Sequence, residues 1–99
     1  MAFYAPTDCL ICEGSALLFR LASNGRTLVL YCPECSTVWL DPAQLSPEQA
    51  RFPQFEQRWL IPGTEVGIKG KRARWATRDE IVQKGWGYLI AGACEEKEF

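Results

Sequence analysis

The chain places four of its five cysteines in two closely matched pairs, and this pattern constrains its fold more than any other feature. Both pairs have the form Cys-x2-Cys, at Cys9 and Cys12 and again at Cys32 and Cys35. Two residues between cysteines form a tight turn that can direct both sulfurs at one metal ion, and two such turns complete a tetrahedron. The interval between the pairs is typical of a zinc site. Since the chain has no histidine, all four ligands of such a site must be cysteine sulfurs.

Three other uses of these cysteines compete with zinc. They are two disulfides, iron in a rubredoxin-like site, which tetrahedral sulfur also suits, and a redox-active dithiol, which needs only one Cys-x2-Cys beside a βαβ pattern. The first residues, MAFYAPTD, lack the pattern of a secretory signal, and no apolar run is long enough to cross a bilayer, so we expect a cytoplasmic protein. A reducing cytoplasm disfavours disulfides. We therefore expect one Zn²⁺, and a closed site of four thiolates makes it structural and not catalytic.

The segment between the cysteine pairs has the pattern of a β-hairpin. Asn24-Gly25 favours a type I′ turn because both residues tolerate a positive φ. A two-residue loop there places Leu17 opposite Cys32, which delivers the first cysteine pair beside the second. Alternation along the strands then gives one face a continuous apolar row: Leu17, Phe19, Leu21, Leu28 and Leu30.

Residues 9 to about 40 resemble the zinc-ribbon family, whose members consist of a cysteine turn, a hairpin, a second cysteine turn and a third strand. On that resemblance Cys9, Cys12, Cys32 and Cys35 correspond to the metal ligands. Zinc ribbons often have glycine directly after the second cysteine of each turn, whereas this chain has Glu13 and Ser36 there. The segments YCPECSTVWLDP and RWATRDEIVQKGWGYLIAG also resemble small uncharacterised bacterial zinc-ribbon proteins, some of which look like immunity proteins. That second resemblance implies a cytosolic, non-catalytic binder.

Beyond the cysteines, residues 37–40 predict a third strand. A short helix with Ser46 as N-cap and Pro47 at its first position follows, and a Pro62-Gly63 turn closes the loop behind it. Residues 64–76 predict a second hairpin that turns at Lys69-Gly70, with Val66 opposite Ala73 and Thr64 opposite Trp75.

The last third of the chain predicts one helix. Thr77 and Glu80 form a capping box, Ile81 and Val82 face inward, and Gly85 ends the helix. We expect a buried cluster beyond it, formed by Trp86, Tyr88, Leu89 and Ile90. The end of the chain is acidic and carries Cys94, which has no partner at metal-ligand spacing.

These elements predict a small β-rich α+β fold, a zinc ribbon of hairpin plus third strand extended by a second hairpin and one or two short helices. We interpret residues 1–99 as a single domain, because a chain of this length supports only one. Its parts are a zinc ribbon (9–40), a wrap-around loop with a short helix (41–63), a second hairpin with a C-terminal helix (64–92) and an acidic tail (93–99).

Two features indicate a surface for a partner. Basic residues cluster around Trp75, namely Lys69, Lys71, Arg72, Arg74 and Arg78. The chain also has four tryptophans, an unusually high number. Most should be buried, and Trp59, in the irregular loop, is the one we expect to be exposed at an interface, where tryptophan is enriched.

The sequence does not indicate an enzyme, because it has no histidine, no phosphate-binding glycine loop and no nucleophile elbow. Our leading hypothesis is a non-catalytic zinc-stabilised protein-binding module, with an immunity protein that neutralises a cognate bacterial toxin as its specific form. The alternative is a nucleic-acid-binding zinc ribbon that uses the basic hairpin from Lys69 to Arg78, with Trp75 as a stacking platform. The formal charge of −1 and the acidic pI of about 5.4 favour a protein partner.

Overall fold

The computed structural model describes residues 1–69 and 72–95. Within these residues, six strands and one α-helix follow in the order β1 (Ala2–Asp8), β2 (Ala16–Leu21), β3 (Leu28–Tyr31), β4 (Val38–Trp39), β5 (Arg74–Trp75), α1 (Arg78–Gln83) and β6 (Gly92–Cys94). Single turns of 3₁₀-helix cover Pro42–Gln44, Pro47–Gln49, Phe55–Gln57 and Gly87–Leu89. The fold is small and mostly β, with one antiparallel sheet and few short helices, as the sequence predicts.

The hairpin of β2 and β3 has the predicted register, with Leu21 opposite Leu28 and Phe19 opposite Leu30. Its turn is not type I′, because within residues 22–27 only Gly25 has a positive φ, of 72°. The Asn24 side chain instead accepts hydrogen bonds from the backbone N–H groups of Arg26 and Thr27. Asparagine commonly stabilises turns by such bonds to its own backbone, and the register is kept because the loop still spans the same residues.

The N-terminal strand β1 was not predicted, yet it lies near the middle of the sheet, whose strand order is β4-β3-β2-β1-β6. It pairs with β2 at Tyr4 opposite Leu18 and at Asp8 opposite Ala16, with an irregularity between the two. Pro6 falls in that irregular stretch and is exposed. A proline has no N–H for a sheet ladder and is tolerated at a bulge, so the irregularity lets the strand continue past it.

Both faces of the sheet are buried. The first, here called the helix face, carries the predicted apolar row together with Trp39 and Cys32 and is covered by Ile81 of α1. The second, here called the loop face, carries Leu18, Val29 and Tyr31 and is covered by Ile61 and Ile68 from the loop ahead of β5. A small chain gains burial efficiently this way, because each central strand contributes side chains to two apolar layers.

The predicted second hairpin over residues 64–76 is wrong. Trp75 lies opposite Arg20 of β2, not opposite Thr64, and Arg74 lies opposite Leu21. Val66 accepts a hydrogen bond from Ile61 N–H. β5 therefore pairs with the free edge of β2 and not with a hairpin partner. The Trp75 ring is buried there, on the loop face of the sheet. The predicted turn at Lys69-Gly70 includes Gly70, which lies outside the described residues.

Helix α1 begins at the predicted N-cap residue, but it buries fewer side chains than predicted. The Thr77 side chain accepts a hydrogen bond from Glu80 N–H, and the Glu80 carboxylate accepts one from Thr77 N–H. Ile81 is fully buried and Gly85 follows the helix with a φ of 87°, but Val82 is 55 % exposed. A helix of under two turns can turn only a narrow stripe to the core, so two adjacent residues do not both face inward.

The 3₁₀ turns in the 41–63 segment agree with the predicted short helix at Pro47. The Ser46 side chain makes no capping bond, and instead the Ser46 carbonyl accepts a hydrogen bond from the buried Trp39 ring N–H. The Pro62-Gly63 turn is confirmed, because Gly63 has a φ of 82° and Thr64 N–H donates to the Ile61 carbonyl.

The C-terminal segment departs from prediction at two places. Tyr88 is 80 % exposed and so is not part of the core, whereas Leu89, Ile90 and Trp86 pack partly buried on the helix face. The predicted tail from residue 93 begins inside β6, where Cys94 lies opposite Ala2 of β1. Residues 96–99 lie outside the described residues. No helix in the described part of the chain is both long and apolar enough to cross a bilayer.

Candidate metal centre

The structure brings the four predicted ligand cysteines to one point. Cys9 follows β1 and Cys32 follows β3, so the register of the sheet fixes where both cysteine turns begin. The Sγ atoms of Cys9 and Cys35 lie 3.6 Å apart, as do those of Cys12 and Cys32. All four Sγ atoms lie within 4.8 Å of one another.

These distances fit a tetrahedral metal site and not disulfides. A disulfide would hold two sulfurs about 2 Å apart, and all four of these cysteines are free thiols. Four sulfurs at about 2.3 Å from a central ion would be separated by about 3.8 Å along each tetrahedral edge. The four cysteines are therefore positioned to bind one metal ion.

The two cysteine turns have the same backbone design. Glu13 N–H donates to the Cys9 carbonyl over 3.2 Å, and Ser36 N–H donates to the Cys32 carbonyl over 2.9 Å. Glu13 and Ser36 have positive φ values of 57° and 64°, in the left-handed region that glycine adopts most easily. Zinc ribbons often have glycine at these two positions. Glu13 and Ser36 thus adopt the left-handed backbone conformation that glycine favours.

Backbone N–H groups point at the sulfurs of the first turn. Ile11 N–H and Cys12 N–H lie 3.4 Å and 3.5 Å from Cys9 Sγ, and Gly14 N–H lies 3.4 Å from Cys12 Sγ. Such donors stabilise sulfur in its anionic form, which is the form that ligates a metal. The Gly14 N–H acts to lower the pKa of Cys12, but desolvation and the Cys35 and Cys9 sulfurs raise this pKa overall, so ionisation of Cys12 also relies on a cation beside it.

The second turn has uneven acidities. Burial raises the pKa of the Cys32 thiol well above its ordinary value. Burial also acts to raise the pKa of Cys35, but the Thr37 hydroxyl, 3.0 Å from Cys35 Sγ, and the Thr37 N–H stabilise the thiolate and lower that pKa to about 7. Cys35 is thus ready to ligate at neutral pH, while ionisation of Cys32 requires the charge of a cation beside it.

The four sulfurs occupy the boundary between core and solvent. Cys9 and Cys32 are buried, Cys35 is partly buried and Cys12 is exposed. With four protein ligands a tetrahedral ion has no open position for water or substrate. An ion held in this way would crosslink two chain segments.

The described residues among those predicted to bind a partner differ in their exposure and contacts. Trp59 is partly buried, with the Lys69 Nζ 3.7 Å from its ring centroid. Its ring also meets Phe55 edge-on, with centroids 6.3 Å apart. Phe55 is 74 % exposed and Phe52 is 45 % exposed. We call Phe52, Phe55 and Trp59 the aromatic loop. The sequence analysis did not select the two phenylalanines as partner-binding residues, although several aromatic residues lie close together in this segment without a regular period.

The basic residues near β5 are engaged differently. Arg74 forms a two-pronged pair with the Glu80 carboxylate over 2.8 Å and 2.5 Å. The Arg78 guanidinium lies 5.0 Å from the Phe3 ring centroid. Arg72 is exposed, and Lys71 lies outside the described residues. Trp75 is only 7 % exposed, so its ring does not offer the open face that base stacking requires.

A buried arginine was also missed. Arg20 is 4 % exposed, its guanidinium lies 4.6 Å from the Trp75 ring centroid, and its Nε–H donates to the Ile68 carbonyl over 2.6 Å. Burial lowers the pKa of Arg20. Its position between Phe19 and Leu21 in β2 was a signal that it lies in a strand, but only the loop over that face shows that it is covered.

Comparison with known proteins adds one distant likeness. No protein-family model matches the chain, and no solved structure matches it. Over 86 residues the chain is 23 % identical to the uncharacterised protein L48 of Acanthamoeba polyphaga mimivirus, in an alignment that covers 83 % of this chain and 72 % of the viral protein. That name states no activity, so the likeness adds no function.

Proposed function

We propose that this chain is a non-catalytic, zinc-stabilised module that binds another protein through its aromatic loop. The observation that carries the proposal is the exposure of Phe55 against the half-covered Trp59, with Phe52 also exposed three residues before Phe55. Large apolar side chains left in water together are typical of protein interaction sites. Aromatic residues also dominate the binding energy of such sites.

Zinc is the metal we assign to the four thiolates. Tetrahedral four-sulfur sites hold zinc or iron, and zinc is the usual ion where the site is structural. A ribbon-like role for residues 9–40 fits this assignment, since the two cysteine turns join the ends of four neighbouring strands. We place the protein in the cytoplasm, where reduced cysteines remain available to a metal.

The backbone of the aromatic loop supports a binding role. Arg58 and Trp59 both have a φ of 58°, two successive non-glycine residues in the left-handed region. Each such residue costs about 1–2 kcal/mol relative to an ordinary conformation. This corner keeps the Trp59 ring against Phe55 and under Lys69. Strain of this kind clusters at ligand-binding segments, where it fixes a side chain in its working position.

The centre itself supports a non-catalytic role, since all four metal positions are taken by protein sulfur and the chain has no histidine for acid-base chemistry. An immunity protein directed against a cytoplasmic toxin is the specific form we propose. The bacterial resemblance of the cysteine-containing and C-terminal segments supports it.

The test is capture of the partner by the metal-loaded protein from a lysate of the source cell, followed by mass spectrometry. We expect one dominant protein that Phe55→Ala captures at least tenfold less, since truncating a hot-spot residue typically costs about 2 kcal/mol or more of binding and each 1.4 kcal/mol is about tenfold. Tyr88→Ala is the matched control, because Tyr88 is 80 % exposed but lies outside the loop. Equal capture by the two variants contradicts a role for the aromatic loop.

Recovery of nucleic acid alone would favour the alternative. Binding to phosphates weakens steeply with salt, whereas binding through apolar aromatics does not. If the captured protein is a toxin, co-expression of this chain should restore growth of cells that express it, and Phe55→Ala should restore less. A captured protein without toxicity would remove the immunity role and leave the binding module.

A further inference from the structure

A cleft opens in the sheet where β1 and β5 meet the same edge of β2. β3 occupies one edge of β2 along Leu18–Leu21. On the other edge, β5 pairs with Arg20 and Leu21. β1 pairs with the earlier part of β2, from Leu18 back to Ala16. Ala76 N–H donates to the Phe19 carbonyl, which marks the point where the two strands meet. After this point the chain leaves β5 and enters α1. The first residues of β1 pair with β6 on the far side, so β1 and the segment after β5 separate.

The floor of this cleft is apolar and its rim is basic. Phe3, Trp75 and Ala76 line it and are at most 8 % exposed. Arg74 and Arg78 line it from the surface. Its volume is about 620 Å³, within the range of roughly 300–1,000 Å³ that ligand pockets occupy. This is more space than one side chain fills, so the cleft suits a short segment of chain.

The two arginines differ in their availability. Arg74 is held by the Glu80 carboxylate. Within residues 1–69 and 72–95, no carboxylate pairs with Arg78, which lies against the Phe3 ring. Stacking on an aromatic face orders a guanidinium without using its N–H donors. Arg78 therefore presents a positioned set of donors at the mouth of an apolar cleft.

We propose that this cleft binds an extended acidic segment of a partner protein, with an apolar side chain inside the apolar part of the cleft and an adjacent carboxylate on Arg78. Charge complementarity selects this occupant, because a guanidinium binds a carboxylate by two parallel hydrogen bonds. The inference extends the proposed function, since it supplies the chemistry of a partner segment at a site separate from the aromatic loop.

The test uses defined peptides and ¹⁵N-labelled, metal-loaded protein. The acidic probe is Ac-Gly-Glu-Phe-Glu-Gly-NH₂ and its charge-reversed control is Ac-Gly-Lys-Phe-Lys-Gly-NH₂. The acidic peptide should give saturable shifts of the amide signals of Phe3, Ala76 and Arg78, and the basic peptide should not. Arg78→Gln should weaken the acidic peptide about ten- to hundredfold, the loss expected for a hydrogen bond to a charged group. Arg78→Lys, which keeps the charge, should lose less.

Arg51→Gln is the matched control, because Arg51 is exposed and bridges Val38 at the opposite side of the sheet. It should bind the acidic peptide as the wild type does. Equal binding by Arg78→Gln and Arg51→Gln, equal binding of the two peptides, or no saturable shift with the acidic peptide would each overturn the proposal. None of these results depends on capture of a partner, so the cleft and the aromatic loop can fail separately.

Discussion

Replacing Glu13 by glycine should stabilise the metal-loaded protein. Glu13 follows the second cysteine of the first turn and has a φ of 57°. An L-residue in this conformation costs about 1–2 kcal/mol, whereas glycine adopts it freely. Glycine also gains about 0.5–1 kcal/mol more chain entropy on unfolding, which offsets part of that relief. The expected net increase in the free energy of unfolding is therefore about 0.5–1 kcal/mol.

Ser36 provides an internal comparison, because its φ of 64° gives the same backbone relief. Its hydroxyl, however, lies 3.2 Å from the hydroxyl of Tyr31, which donates to it. Loss of a buried tyrosine's hydrogen-bond partner costs about 1 kcal/mol. We expect Ser36→Gly to change stability by about zero, although both substitutions relieve the same kind of strain.

The assay is urea denaturation of the metal-loaded protein under thiol reductant and at fixed free metal, since bound metal adds to apparent stability. Two controls separate the causes. Glu13→Gln removes the same charge beside the thiolates but keeps the backbone cost, so it should gain less than Glu13→Gly. Glu34→Gly, at a position outside the left-handed region, should lose about 0.5–1 kcal/mol. A loss of stability in Glu13→Gly as large as in Glu34→Gly would refute the reasoning.

Three further outcomes follow from the same structure. Ile81→Ala should lose about 2–4 kcal/mol of unfolding free energy, because Ile81 is fully buried. Val82→Ala, at a 55 % exposed residue, should change the unfolding free energy by no more than about 0.5 kcal/mol. Equal losses would contradict the orientation of α1. Chelation should remove one metal ion per chain and unfold the protein, since such sites contribute on the order of 10 kcal/mol of folding free energy. Elemental analysis measures the metal content and circular dichroism measures the fold. A fully folded apoprotein would contradict the structural role of the metal. Hydrogen bonds from Arg74 lower the pKa of Glu80 from 4.5 to about 2, so the stability from this pair is fully present above pH 4.5 and is lost as the pH falls through 2. Glu80→Gln should therefore be about 0.5–1 kcal/mol less stable at pH 7, where the thiolates still hold the metal, and an unchanged free energy of unfolding at pH 7 would refute this.

The local features of the chain were predictable because they depend on near neighbours. Residue spacing within each cysteine turn, alternation in β2 and β3, and the capping box at Thr77 are each satisfied by residues close in sequence. The four-cysteine site belongs in part to this group, because the hairpin register places Cys32 beside the residues that follow the first turn, whereas pairing of β1 with β2 positions Cys9. The type of the hairpin turn was wrong since Asn24 can stabilise a turn in more than one way.

The missed elements carry little periodic signal of their own. β1 contains Pro6, which argues against a strand until a bulge accommodates it. β5 has only two residues, and its pairing with β2 in place of a hairpin partner follows from the free edge left beyond Leu18. Neither strand could be assigned without knowing which edge of β2 was open.

By itself, the sequence determined a four-thiolate centre and the hairpin that assembles it, since fixed spacing and alternation leave few other arrangements of so short a segment. Tertiary structure alone decided that two strands share one edge of β2, and thereby opened the cleft at Arg78. It also decided which aromatic side chains remain in water, as the 59–69 loop covers one face of the sheet and leaves Phe55 outside. Such outcomes depend on competition among distant segments for the same apolar surface, and no local pattern records that competition.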